Sequence, residues 1–127
     1  MNDQLEENFS DMVGRLAKPG EDILVTLTPQ RIHMWHMASG VGGEGGEVLD
    51  EVKKIVAYNR DIDKTKVVKE LGDLEFYMEG LRQAMGITRE ECLVGNIEKL
   101  DGGRYKDGYS DAAANAGRVS DLTGGAE

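Results

Sequence analysis

Residues 67–85 read VVKELGDLEFYMEGLRQAM. Val67, Leu71, Leu74, Met78, Leu81 and Met85 recur at intervals of 4, 3, 4, 3 and 4. That spacing puts them on one stripe of an α-helix packed in a bundle. The helix runs over 64–85, and Gly86 ends it. Downstream, Thr88 with Glu91 forms a capping box for another helix through Leu100. Upstream, from Glu44 onward, Val48, Leu49, Val52, Ile55 and Val56 make a second apolar face, which Tyr58-Asn59-Arg60-Asp61 breaks. Thr28-Pro29 is a helix start, since Thr caps free amides and Pro fits the first turn. It predicts a helix over 29–41, before the glycine-rich stretch. Residues 3–17 carry Leu5, Phe9, Met12, Val13 and Leu16 at helical spacing, and Lys18-Pro19-Gly20 closes that helix. The run DILVTL at 22–27 is apolar and β-branched and predicts one extended segment, but a single run cannot make a sheet. The expected fold is all-α, a bundle of four to five helices. Residues 1–30 form an N-terminal helix and connector, 31–101 the bundle core, and 102–127, rich in Gly, Asp, Ala and Ser, an irregular tail.

At 127 residues the chain suits one domain with a core of its own. The formal net charge is -9, which disfavours nucleic acid and anionic membrane surfaces as partners. The N-terminus MNDQLEENFSDM has neither a basic leader nor an apolar run, and no stretch is apolar enough to span a membrane. The single cysteine, Cys92, suits a reducing, cytoplasmic setting and a small core position.

The acids have a pattern. Glu44 and Glu47 are three apart, and so are Glu70 and Asp73. On a helix such pairs share a face. Glu44, Glu47 and Glu51 fall within about 60° of one another beside the Val48/Val52/Ile55 stripe. Glu70, Asp73 and Tyr77 flank the Leu71/Leu74/Met78 stripe in the same way. If the apolar stripes pack, the carboxylate strips converge. Acids aimed at one point stay charged only with cations between them. Hard ions such as Mg²⁺ or Mn²⁺ want oxygen ligands, and Mg²⁺ commonly shares its ligands with substrate phosphates. No EF-hand loop is present, and the Glu-x-x-His of a di-iron bundle is missing. Lys53-Lys54, Asn96, Lys99 and Arg104-Tyr105 supply donors of the kind a triphosphate needs.

Residues 40–47, GVGGEGGE, contain a formal G-x-G-x-x-G. A dinucleotide fingerprint should follow a strand, and a Walker loop should end in Gly-Lys-Ser/Thr; this stretch meets neither condition. Its glycines read instead as clearance for close helix packing and for a substrate.

The segments GEGGEVLDEVKK, KELGDLEFY and NIEKL followed by Arg104-Tyr105 resemble the MazG-like all-α nucleoside triphosphate pyrophosphohydrolases over about residues 31–110. That family pairs Glu-Glu-x-x-Glu with Glu-x-x-Asp. Here Gly43 stands at the first glutamate, and the rest are Glu44, Glu47, Glu70 and Asp73. Small phage and bacterial members commonly read Gly-Glu-x-Gly-Glu at this point. The resemblance implies hydrolysis of a nucleoside triphosphate to monophosphate and pyrophosphate, with these four acids holding Mg²⁺ or Mn²⁺. Glu47 or Glu44 would also be catalytic, with Glu47 favoured as the base. Lys54, Asn96, Lys99 and Arg104 would contact phosphate or sugar. Tyr77 would lie against the substrate, and His36 and Trp35 are candidates for the base pocket. Asp50 or Glu51 are candidates to replace the acid missing at Gly43. The resemblance further implies a dimer or dimer-based tetramer. Some small phage relatives that this chain resembles act on dGTP, which makes (d)GTP a candidate substrate and a host cytoplasm the setting. A competing reading keeps the helices and drops the chemistry. With 31% of residues charged, the acids would be only the solvated face of a non-catalytic interaction module.

Overall fold

The computed structural model describes residues 2–122, with side chains through residue 117. The regular elements are all helical: α1 (Asp3–Leu16), α2 (Gly20–Thr26), α3 (Pro29–Ala57), α4 (Lys64–Met85), α5 (Arg89–Lys99), a π-helical turn (Leu100–Arg104) and α6 (Asp111–Leu122). The all-α class is therefore shown.

Side chains fix the helix ends. Thr28 accepts a hydrogen bond from the Arg31 amide at 3.2 Å, with Pro29 in the first turn of α3. Asp63 caps α4 by accepting from the Thr65 and Lys66 amides. Gly86 closes α4 at φ 69°, a left-handed geometry that favours glycine. Thr88 and Glu91 complete the capping box of α5: the Glu91 carboxylate accepts from the Thr88 amide at 2.6 Å, and Thr88 Oγ1 accepts from the Glu91 amide at 3.1 Å.

α3 and α4 form an antiparallel hairpin, the most extensive helix pairing among the described residues. Met37 lies against Gly80 and the Tyr77 ring against Gly40, contacts that a side chain at either glycine would block. Val48, Ile55, Val67, Leu74, Met78 and Leu81 are half-buried along the seam. At the open end, Gln30 Nε2 donates to the Ala84 carbonyl at 3.3 Å. A second, smaller cluster joins α5, the π turn and α6. There the Arg104 side chain runs against Gly117.

The structure corrects four expectations. α3 does not stop at residue 41: it runs unbroken through the glycines to Ala57. The apolar stripe explains this, because Met34, Met37, Val41, Val48 and Ile55 stay within about 60° of one another on a single helix. DILVTL is not extended but lies within and just beyond α2. A lone β-branched run has no strand to pair with. Glu21 and Asp22, meanwhile, favour the start of a helix. The tail is not wholly irregular, since α6 occupies 111–122 and Ser110 Oγ accepts from the Ala113 amide; residues 123–127 lie outside the described residues. Cys92 is exposed rather than in a core.

The chain makes a thin core. Among the described residues only Met37 and Arg82 are buried, while Leu5, Phe9, Leu16, Leu49, Val56 and Phe76 stand largely exposed. The total surface is 10524 Å². A folded chain of this mass exposes about 6,700 Å² by the usual scaling.

Candidate functional site

The α3–α4 register sets the site. With Gly40 facing Tyr77 and Met37 facing Gly80, the next turns bring Glu44 opposite Asp73 and Glu70. One carboxylate oxygen from each of Glu44, Glu70 and Asp73 lies within 4.8 Å of the other two. Glu44 and Glu70 are half-buried and Asp73 is exposed. This convergence is electrostatically costly. Desolvation lifts the Glu44 carboxyl above its ordinary range, and the charges of Asp73, Glu70 and Glu47 lift it further. A hard divalent cation would relieve that repulsion and would find three oxygen donors on two packed helices. The donor set therefore fits Mg²⁺ or Mn²⁺.

Glu47 stands apart from this trio. It lies one turn along α3, exposed, and its charge acts on Glu44 from the side. Asp50 and Glu51, the candidates to replace the acid missing at Gly43, are not in this trio, and lysines engage both. Asp50 pairs with Lys53 at 2.6 Å and with Lys54 at 2.7 Å, and Glu51 pairs with Lys54 at 2.7 Å. Hydrogen bonds from Lys53 and Lys54 pull the Asp50 carboxyl down to about 2. Hydrogen bonds to Asp50 and Glu51 push the Lys54 ammonium up. Lys54 thus stands near the site already held by acids.

Tyr77 is beside the cluster, one turn beyond Asp73. Its ring meets His36 edge-on with centroids 6.3 Å apart, and Phe76 edge-on at 5.2 Å. Phe76 had no sequence signal beyond its place next to Tyr77. Trp35 is not part of this group. It sits about 180° around α3 from Glu44 and lines an apolar hollow with Ile23, Leu27 and Ile32. Asn96 and Lys99 on α5 and Arg104 on the π turn belong to the second cluster. Within one protomer, helix packing does not bring them to the carboxylates.

Comparison with known proteins finds no matching protein family, no matching curated protein and no matching solved structure. Among the described residues no helix is long and apolar enough to cross a membrane.

Proposed function

We propose that the protein is a metal-dependent nucleoside triphosphate pyrophosphohydrolase, splitting an NTP or dNTP, with (d)GTP among the candidates, into monophosphate and pyrophosphate. The observation behind this reading is the meeting of Glu44, Glu70 and Asp73 across two packed helices, with oxygens within 4.8 Å of one another. A bound Mg²⁺ or Mn²⁺ would offset charge building on the phosphates and acidify the attacking water. The chain's own groups do the rest. Glu44, Glu70 and Asp73 would hold the ion, and Glu47 at the exposed edge would take the proton from water. Water bonds to the α-phosphorus as the bridging bond to the β-phosphate breaks, and pyrophosphate leaves. Tyr77 and His36 lie against the sugar or base.

Self-association belongs to the same reading. The protomer's surface is about 1.6 times that expected of a folded chain of its mass, and a dimer or dimer-based tetramer would cover much of the exposed apolar area. A second copy is also the source from which Asn96, Lys99 and Arg104 would reach the carboxylates. The test is pyrophosphate release from a panel of NTPs and dNTPs with Mg²⁺ or Mn²⁺. Turnover of at least one nucleotide is expected. A folded, associated protein with no turnover across the panel would favour the non-catalytic interaction module instead.

A further inference from the structure

The carboxylate cluster is the middle of a longer groove. From Glu44, His33, Met37, Gly40, Glu51 and Ile55 all lie within about 40° on α3. From Asp73, Lys66, Tyr77 and Gly80 lie within about the same angle on α4. The hairpin thus presents one continuous face, and it has a hollow on each side of the acids. The two hollows differ in chemistry.

The hollow toward the open end, about 390 Å³, is lined by His33, Met37, Phe76, Glu79, Gly80 and Gln83. Its lining offers the Met37 thioether, the Phe76 ring and the Gly80 backbone beside the polar His33, Glu79 and Gln83. The hollow toward the α3–α4 connection, about 260 Å³, is lined by Glu51, Lys54, Ile55, Arg60, Asp61, Asp63 and Lys66. It gathers three cations, Lys54, Arg60 and Lys66, together with three carboxylates, Glu51, Asp61 and Asp63. Lys54 is held by Asp50 and Glu51. Arg60 and Lys66 have no ion pair among the described residues, unlike Lys53, Lys54 and Arg82. Asp63 is occupied in capping α4. The Arg60 amide donates to the Lys54 carbonyl at 3.3 Å, which holds the connection back over the end of α3.

We infer that Arg60 and Lys66, with Lys54, hold the pyrophosphate end of the substrate in the hollow at the α3–α4 connection, while the base end lies over Met37, Phe76 and Gly80. The inference rests on the hydrolase reading and gives the substrate a direction along the hairpin. Guanidinium and ammonium groups hold phosphate oxygens by charge-assisted hydrogen bonds. The flat face of a base stacks on an aromatic ring, and the base carries no anionic oxygens for three cations to hold.

Calorimetric binding to the intact protein with Mg²⁺ tests this without relying on turnover. The probes are inorganic pyrophosphate and a nucleoside monophosphate, the latter chosen from whichever nucleotide the panel shows to be hydrolysed, or guanosine monophosphate otherwise. In Arg60→Ala/Lys66→Ala, pyrophosphate affinity falls about tenfold or more while monophosphate affinity stays within twofold. Phe76→Ala gives the converse. Lys66→Gln and Lys66→Arg, single changes on the exposed side of α4, serve if the double variant loses its fold; Gln weakens pyrophosphate binding and Arg retains it. Pyrophosphate affinity insensitive to Arg60 and Lys66, or the two probes responding in the reverse sense, overturns the inference. Absence of turnover by the wild-type protein, by contrast, strikes the hydrolase reading, and the two failures are read from separate experiments.

Discussion

The ring of Tyr77 on α4 lies directly on Gly40 of α3, in the space a side chain at residue 40 would occupy. This contact sets the hairpin register one turn from the carboxylates. Gly40→Ala must push the ring aside, at a cost of about 1–3 kcal/mol. The better helix propensity of alanine offsets up to about 1 kcal/mol of that. Nothing lies within 4 Å of a Cβ at Gly46, in the same glycine-rich stretch, so Gly46→Ala gains the propensity alone and stabilises by about 0.5–1 kcal/mol. Urea unfolding of the two variants should therefore move the midpoint in opposite directions.

Glu44→Gln removes a charge from a cluster that raises its own carboxyl pKa. Without divalent cations the variant should melt higher than the wild type. With saturating Mg²⁺ or Mn²⁺ the order should reverse, because only the wild type gains binding energy from the ion. Thermal melts with and without metal check both halves. Asp73→Asn should behave alike, and both substitutions should abolish turnover with the fold intact.

The same carboxyl gives a pH dependence. The folded Glu44 pKa lies above its unfolded value. The folded state therefore binds the proton more tightly, and the metal-free protein loses stability as pH rises through the window between the two values. Metal binding at the proposed site would run the other way. It would require the carboxylate, and so should strengthen over that window and release protons. Titrations of Mn²⁺ at successive pH values in two buffers of different ionisation enthalpy would detect the proton release.

If the protein self-associates as proposed, the oligomer is the folded unit. Sedimentation should give a mass of two or four protomers. The thermal midpoint should rise with protein concentration, as association adds to stability by mass action. A concentration-independent monomer would contradict this.

Much of the scaffold was legible in the sequence because local chemistry decides it. The bounds of α4, the Thr28 cap and the Thr88/Glu91 box follow from side chains a few residues away. The meeting of Glu44 with Glu70 and Asp73 followed from helical phase, since all three flank apolar stripes that pack together. The glycine stretch misled, because helix propensity is local whereas the continuity of α3 comes from a stripe reaching from Met34 to Ile55. The placement of α5 and α6 was also out of reach. Lys99 and Arg104 have suitable chemistry for phosphate, but nothing in their spacing says which helices they pack on. The hollow at the α3–α4 connection was not legible, because Arg60 and Lys66 belong to different elements and meet only when the connection turns back.

The most direct test of the central claim is Mn²⁺ binding followed by electron paramagnetic resonance, in wild type and Asp73→Asn, with a non-hydrolysable nucleoside triphosphate analogue present. The account predicts tightly bound Mn²⁺ in the wild type, strengthened by the nucleotide and lost in the variant. Equal Mn²⁺ and nucleotide binding by the two proteins would contradict it.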